Sequence, residues 1–219
     1  HRLRSGDIDV GFARNVGDVL GRIHAATADR ADVAEQFRTD ENFFAIRLEP
    51  YLVAAARVHP DRAPALHALA EVTANERRAL VHGDVSPKNI LVGKAPVFLD
   101  AECAWYGDPA FDLAFCLNHL LLKSIWLPAY RGRLLDAFGA LCDGYFRQAR
   151  FESRASLERR TACLLPGLML ARVDGKSPVE YLDREELRGP VRRFARDELL
   201  HPTSDLVALR RHWAERLAA

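Results

Sequence analysis

The chain has 219 residues, 49% of them hydrophobic, enough to bury a substantial core, and a single domain is the natural expectation. Thirty-one basic residues against thirty acidic ones leave a net charge of +1, with no basic stripe interleaved with aromatics, so no nucleic-acid partner is indicated. A membrane is equally unsupported: the longest apolar stretch, 113–122, is interrupted by Asn118 and His119 and is too short to span a bilayer, and no signal peptide is visible.

In chain order, Val16, Val19, Leu20 and Ile23 recur at helical spacing and predict a helix over 15–28, with His24 beside its apolar face. A second helix is expected over 31–37, and a third begins after Pro50 and runs through Val58, where His59 and Pro60 end it. Leu66, Leu69 and Val72 carry a fourth over 63–78. Beyond the segment 80–114, a largely buried helix is expected over 109–123, because its apolar sequence is nearly continuous. Tyr130, Leu134, Phe138, Leu141, Cys142 and Tyr145 mark a long amphipathic helix, and another is expected over 153–172. Asp174, Gly175, Ser177 and Pro178 break the period and predict a structured loop over 172–182. Two helices, 185–200 and 204–217, close the chain.

The segment 80–92 reads LVHGDVSPKNILV, and VFLDAECAWYGDPAFDLA follows at 97–114. The spacing His82-x-Asp84-x-x-x-x-Asn89 is what a phosphotransferase loop needs: Asp84 to accept a hydroxyl proton and Asn89 to hold a Mg²⁺ that bridges nucleotide phosphates. Ile90 to Val92, a turn through Gly93, Lys94, Ala95 and Pro96, and Val97 to Leu99 predict a tight β-hairpin that returns Asp100 beside Asn89. Mg²⁺ takes oxygen ligands, and both residues are of the right chemical type. His82 is expected to order the loop rather than to move a proton, Pro87 to stiffen it, and Lys88 either to reach a phosphate or, as we expect, to face water. Asp108 before Pro109 fits a helix N-cap with proline at the first helical position.

The four cysteines, Cys103, Cys116, Cys142 and Cys163, show no zinc-like spacing and read as free thiols of a reducing, cytoplasmic compartment. No base motif accompanies any of them, and the eight histidines are scattered, so neither a thiol nucleophile nor a histidine metal box is expected.

Together HGDVSPKN, LDAE and GDPAFDLA resemble the signature of the aminoglycoside phosphotransferase and choline kinase superfamily, small-molecule kinases with a protein-kinase-like fold. The resemblance implies an α+β, predominantly helical C-terminal lobe in which a small β-hairpin carries the metal motif. It also implies ATP or another nucleoside triphosphate as donor, Mg²⁺ as cofactor, and a small-molecule hydroxyl as acceptor. By the same likeness Asp84 is the catalytic base, Asn89 and Asp100 bind the metal–nucleotide, and Asp112 supports the loop by hydrogen bonding. Glu102 is a further metal ligand if the Asp-x-Glu pattern follows the related methylthioribose kinases, which tend to carry Ser where this chain has Asn89. The resemblance covers most of the chain but only the C-terminal lobe: the residues before Asp84 read as helix, with no β-rich nucleotide-binding lobe. We therefore expect 1–219 to be one helical lobe of a kinase, weakly active or inactive by itself. Acceptor recognition is sought after the metal motif, at His119, Lys123, Arg172, Asp174 and Lys176. A mild shortage of acid in the C-terminal half speaks against a polycationic acceptor. A pseudokinase-like binding module, a sugar kinase of the methylthioribose type and a metal-dependent phosphate hydrolase stay open as alternatives.

Overall fold

The computed structural model describes residues 5–218. Helix α1, Val10–Thr27, starts at Asp9, whose carboxylate accepts the Phe12 N–H at 2.9 Å. It begins five residues ahead of the predicted start: none of its residues before Val16 is fully buried, although Phe12 and Ala13 pack partly against the core. Helix α2, Ala31–Gln36, falls where expected.

The next helix does not begin after Pro50. Helix α3, Asp40–Phe43, passes without a break into a π-helical stretch, Phe44–Val53, and on into α4, Ala54–Val58. Proline has no N–H to donate and its ring crowds the preceding turn, so a standard α-helix would break there. The wider π turn accommodates Pro50 inside the helix, and its carbonyl accepts the N–H of Lys176 at 3.0 Å, which ties this helix to the loop after α8. Helix α5, Ala63–Asn75, ends three residues short of the expected 78 as the chain straightens toward the first strand.

Two small antiparallel ribbons follow. β1, Ala79–Val81, pairs with β4, Trp105–Gly107, in the register Ala79↔Gly107, Leu80↔Tyr106, Val81↔Trp105. β2, Ile90–Leu91, pairs with β3, Val97–Phe98, with Ile90 opposite Phe98 and Leu91 opposite Val97. The second is the expected hairpin; the first joins residues 24 or more apart in sequence, and no local pattern announces it.

Helix α6, Pro109–Trp126, is capped by Asp108, which accepts the Ala110 N–H at 3.0 Å, and every residue in it except Lys123 and Trp126 is buried. Around it lie α7, Arg131–Gln148, α8, Arg154–Asp174, α9, Glu185–Leu200, and α10, Leu206–Ala218. The α1–α7 crossing is unusually close: a Cβ on Gly17 would fall 2.0 Å from the Leu141 carbonyl oxygen, and one on Gly144 would fall 2.1 Å from that of Arg14. This seats α1 against α7 so deeply that His24 and Tyr145 are buried together beneath the β1 segment. The fold is predominantly helical α+β. Among the described residues no single helix is long and apolar enough to cross a membrane.

Candidate active site

The loop after β1 turns sharply at Gly83, whose φ of +81° lies in the left-handed region. A Cβ there would also fall 2.8 Å from both Cβ and the carbonyl oxygen of Cys103. Glycine is required on both counts.

Beneath the turn sits Asp112, in the first turn of α6 and wholly buried. Its Oδ2 accepts the backbone N–H of His82 at 2.7 Å and its Oδ1 that of Gly83 at 2.8 Å. His24 Nε2 lies 3.2 Å from Oδ2, and its Nδ1 lies 2.8 Å from the Tyr145 hydroxyl. A carboxylate can only accept, so Nε2 carries the imidazole proton. One buried carboxylate thus clamps two consecutive backbone donors of the loop, and α1 and α7 brace it from behind. His82 turns its ring back: the Asp84 N–H donates to its Nδ1 at 3.2 Å, which fixes the direction in which the next residue leaves.

The Asp84 side chain is 10% exposed, and its Oδ2 lies 3.1 Å from Arg47 Nη2 and 3.4 Å from the Nζ of Lys88, which is 71% exposed. Arg47 also donates through Nε to the Gly83 carbonyl at 2.5 Å and through Nη1 to its neighbour Ile46 at 2.8 Å. No motif singled out this residue. The signal that could have done so is a lone charge inside the apolar run Phe44-Ala45-Ile46-Arg47-Leu48.

Asn89 closes the 3₁₀ turn Pro87–Asn89 and is buried; its amide nitrogen donates to the Asp84 carbonyl at 3.3 Å, so the amide oxygen is the atom left to accept or ligate. Across the hairpin the Leu99 N–H donates to the Asn89 carbonyl at 2.9 Å, and Asp100 is the next residue. Asp100 is exposed and holds φ at +67°, a conformation that costs a non-glycine residue on the order of 1–2 kcal/mol, though aspartate tolerates it better than most. Glu102, two residues on, is exposed as well, and its carbonyl accepts from Asn42 at 3.3 Å. Among the described residues no cation pairs with the Asp100 or Glu102 carboxylate, and no three His, Cys, Asp or Glu side chains form a metal cluster by themselves. A metal seated there would need ligands from a bound molecule or from water. On the outer face of the hairpin Leu91, Val97 and Leu99 stand exposed, while Ile90 and Phe98 face the core.

The acceptor candidates separate into two groups. Asp174 is bound to Arg192 at 2.7 and 2.8 Å and to His59 at 2.8 Å, and Lys176 to Glu49 at 2.9 Å, so both hold helix ends and a loop together. Lys123 instead lines a cleft with Pro87 and Lys88 of the loop, while His119 packs its ring against Phe115 and Arg172 donates to Tyr51 and Ser177. Lys123 lies 4.1 Å from the Tyr181 ring centre and 5.1 Å from that of Trp126, and burial pushes its ammonium down to about 8. It lines a cleft of about 730 Å³ together with Lys88, Phe12, Val16, Trp126 and Tyr181. The four cysteines are free, and burial raises the Cys103 thiol beside the loop to about 11, which keeps it protonated.

The model of the phosphotransferase enzyme family matches residues 4–151, from the start of α1 through the whole loop, hairpin and α6–α7 assembly. No curated protein matches the chain. A match over more than half of the sequence, spanning the three motifs and the helices that brace them, shows that this chain belongs to the phosphotransferase enzyme family.

Proposed function

We propose that the chain transfers the γ-phosphoryl group of a nucleoside triphosphate, ATP in the first instance, to a hydroxyl group of a small molecule. The observation that carries this reading is the loop between β1 and β2, in which Asp112 clamps the His82 and Gly83 N–H groups and on which Asp84 and Asn89 lie. The bond from the Leu99 N–H to the Asn89 carbonyl supports Asp100, the next residue, as their partner.

In this reading the acceptor alcohol approaches the Asp84 carboxylate, which takes its proton as the alcohol oxygen bonds to the γ-phosphorus and the bond to the bridging oxygen of the nucleoside diphosphate breaks. Arg47, 3.1 Å from Oδ2, holds in place an Asp84 side chain that is only 10% open to water. The donor set fits Mg²⁺, an oxygen-only group in which the Asn89 amide oxygen and the Asp100 carboxylate would be the protein ligands, Glu102 would supply a second carboxylate on the same turn, and phosphate and water would complete the shell. When bound, the ion neutralises the charge of the triphosphate. The strained backbone of Asp100 supports a functional role, since such conformations persist where the surroundings over-determine them. The apolar ledge of Leu91, Val97 and Leu99 is suited to the flat face of a nucleotide base.

The test is Asp84→Asn. With ATP, Mg²⁺ and a panel of alcohols, release of nucleoside diphosphate should fall at least about a thousandfold while the thermal melt stays within a few degrees of wild type. Near-wild-type turnover would remove the base assignment. Diphosphate release that proceeds equally well without any alcohol would identify a hydrolase instead.

A further inference from the structure

We propose that the acceptor is an alcohol carrying an anionic group, a carboxylate or a phosphate, received by Arg172 and His119. This rests on the phosphotransfer reading above and adds a substrate class to it.

The cluster is contiguous. Phe115, nearly two turns into α6, is its centre: the Arg47 guanidinium lies 5.9 Å from its ring centre, the His119 ring 5.5 Å and the Tyr51 ring 5.7 Å. Arg172, from α8, lies 5.6 Å above the Tyr51 ring. Asp84 is thereby joined through Arg47 and this aromatic floor to His119 and Arg172.

Charge and hydrogen bonding both point to an anion. Arg172 binds only neutral oxygens, the Tyr51 hydroxyl at 3.1 Å and the Ser177 hydroxyl and carbonyl at 2.9 and 2.5 Å, and among the described residues no carboxylate pairs with it. Its Nε is shut off from water with no acceptor. The same is true of His119 Nε2, on a side chain only 6% exposed, and of the Tyr181 hydroxyl. Buried polar groups of this kind cost folding free energy unless something meets them. Burial holds the His119 imidazole well below its ordinary range, and Arg172, Lys123 and Lys88 add to that push, so three cations act on one neutral ring. The nearby acids are committed elsewhere: Glu49 to Arg57 and Lys176, Asp174 to Arg192 and His59, and Asp84 to Arg47. Glu180 and Asp183, both exposed, line the adjoining cleft with Asp7, Asp9 and Lys123, but none of these acids is paired with Arg172. A cationic acceptor would meet repulsion at Arg47, Arg172 and Lys123 before it reached Asp84, whereas an anionic one supplies the missing acceptor. Arg172 and Tyr181 lie beyond residues 4–151, outside the segment matched by the family.

The experiment compares three-carbon alcohols that differ in charge, glycerate, glycerol 3-phosphate and glycerol, with choline as the cationic alcohol, in ATP-dependent diphosphate release by the purified protein. An anionic alcohol should be used with kcat/KM at least about tenfold above glycerol and choline, and the better of glycerate and glycerol 3-phosphate tells carboxylate from phosphate. Arg172→Met should raise KM for the anionic alcohol about tenfold or more with a smaller change in kcat, Arg172→Lys should recover part of the loss, and glycerol should be unaffected. Preference for glycerol or choline by an active enzyme overturns the anion assignment and leaves the phosphotransfer reading standing. If no alcohol is turned over, calorimetry reads the cluster alone. Binding of glycerate or glycerol 3-phosphate that is weakened tenfold in both Arg172→Met and His119→Gln, each with a native melt, supports the proposal, and binding that is absent or unchanged in these variants overturns it.

Discussion

Asp112→Asn isolates the clamp that holds the catalytic loop. The substitution keeps volume and shape but replaces one acceptor oxygen by an NH₂ group, and both oxygens of Asp112 face backbone donors, His82 N–H at 2.7 Å and Gly83 N–H at 2.8 Å. Whichever way the amide turns, one donor meets another donor. The loss is one hydrogen bond to a charged group, about 1.5–3 kcal/mol, together with a buried unsatisfied N–H, about 1–3 kcal/mol. If the amide oxygen stays on the His82 side it keeps the contact with His24, so no third term is added. The expected sum of roughly 3–5 kcal/mol is a large part of the about 5–15 kcal/mol that holds a typical protein folded. Urea denaturation should show the midpoint lowered by this free energy divided by the slope, with the slope unchanged, and the melting temperature should fall by roughly 6–20 °C, given about 2–4 °C per kcal/mol at this chain length. Amide exchange at His82 and Gly83 should speed up more than at the centre of α6. A variant within about 1 kcal/mol of wild type, with both amides still protected, would refute the account of the loop.

Three further outcomes are expected. Gly83→Ala forces a side chain into the left-handed region and against Cys103, 2.8 Å away, and should cost about 2–4 kcal/mol in a denaturation series. Asp100→Gly removes a proposed metal ligand but relieves a φ of +67°, so it should abolish Mg²⁺-dependent diphosphate release while melting no lower than wild type; a clear loss of stability would show that the Asp100 side chain is structural. Burial lowers the Lys123 ammonium to about 8 in the folded chain against 10.5 in the unfolded one. Between those values the unfolded state binds more protons, so stability should rise with pH from about 8 to 10.5 relative to Lys123→Met, and equal pH dependence of the two proteins would show that Lys123 is not desolvated.

The helices around the core were legible because their apolar residues recur at 3–4 residue spacing, as in α5, α9 and α10, or run almost unbroken, as in α6. Boundaries failed where burial and local pattern part company, at the half-buried first turns of α1 and at Pro50, which a π-helical stretch accommodates and whose carbonyl accepts the Lys176 N–H from a loop over a hundred residues away. The β1–β4 pairing has the same origin, a contact between segments that share no periodic signal.

Sequence alone determined the residue types of the candidate site and the β2–β3 hairpin, because all of these lie within one short run in which turn chemistry fixes the pairing. Only the tertiary structure decided what surrounds them. Arg47 reaches Asp84 from 37 residues upstream, His24 and Tyr145 brace Asp112 from two separate helices, and Arg172 meets Tyr51 across the gap between α8 and the π turn. Such contacts depend on how helices pack, and a buried arginine or histidine is chosen by partners distant in the chain, so its role has no local spacing to be read from.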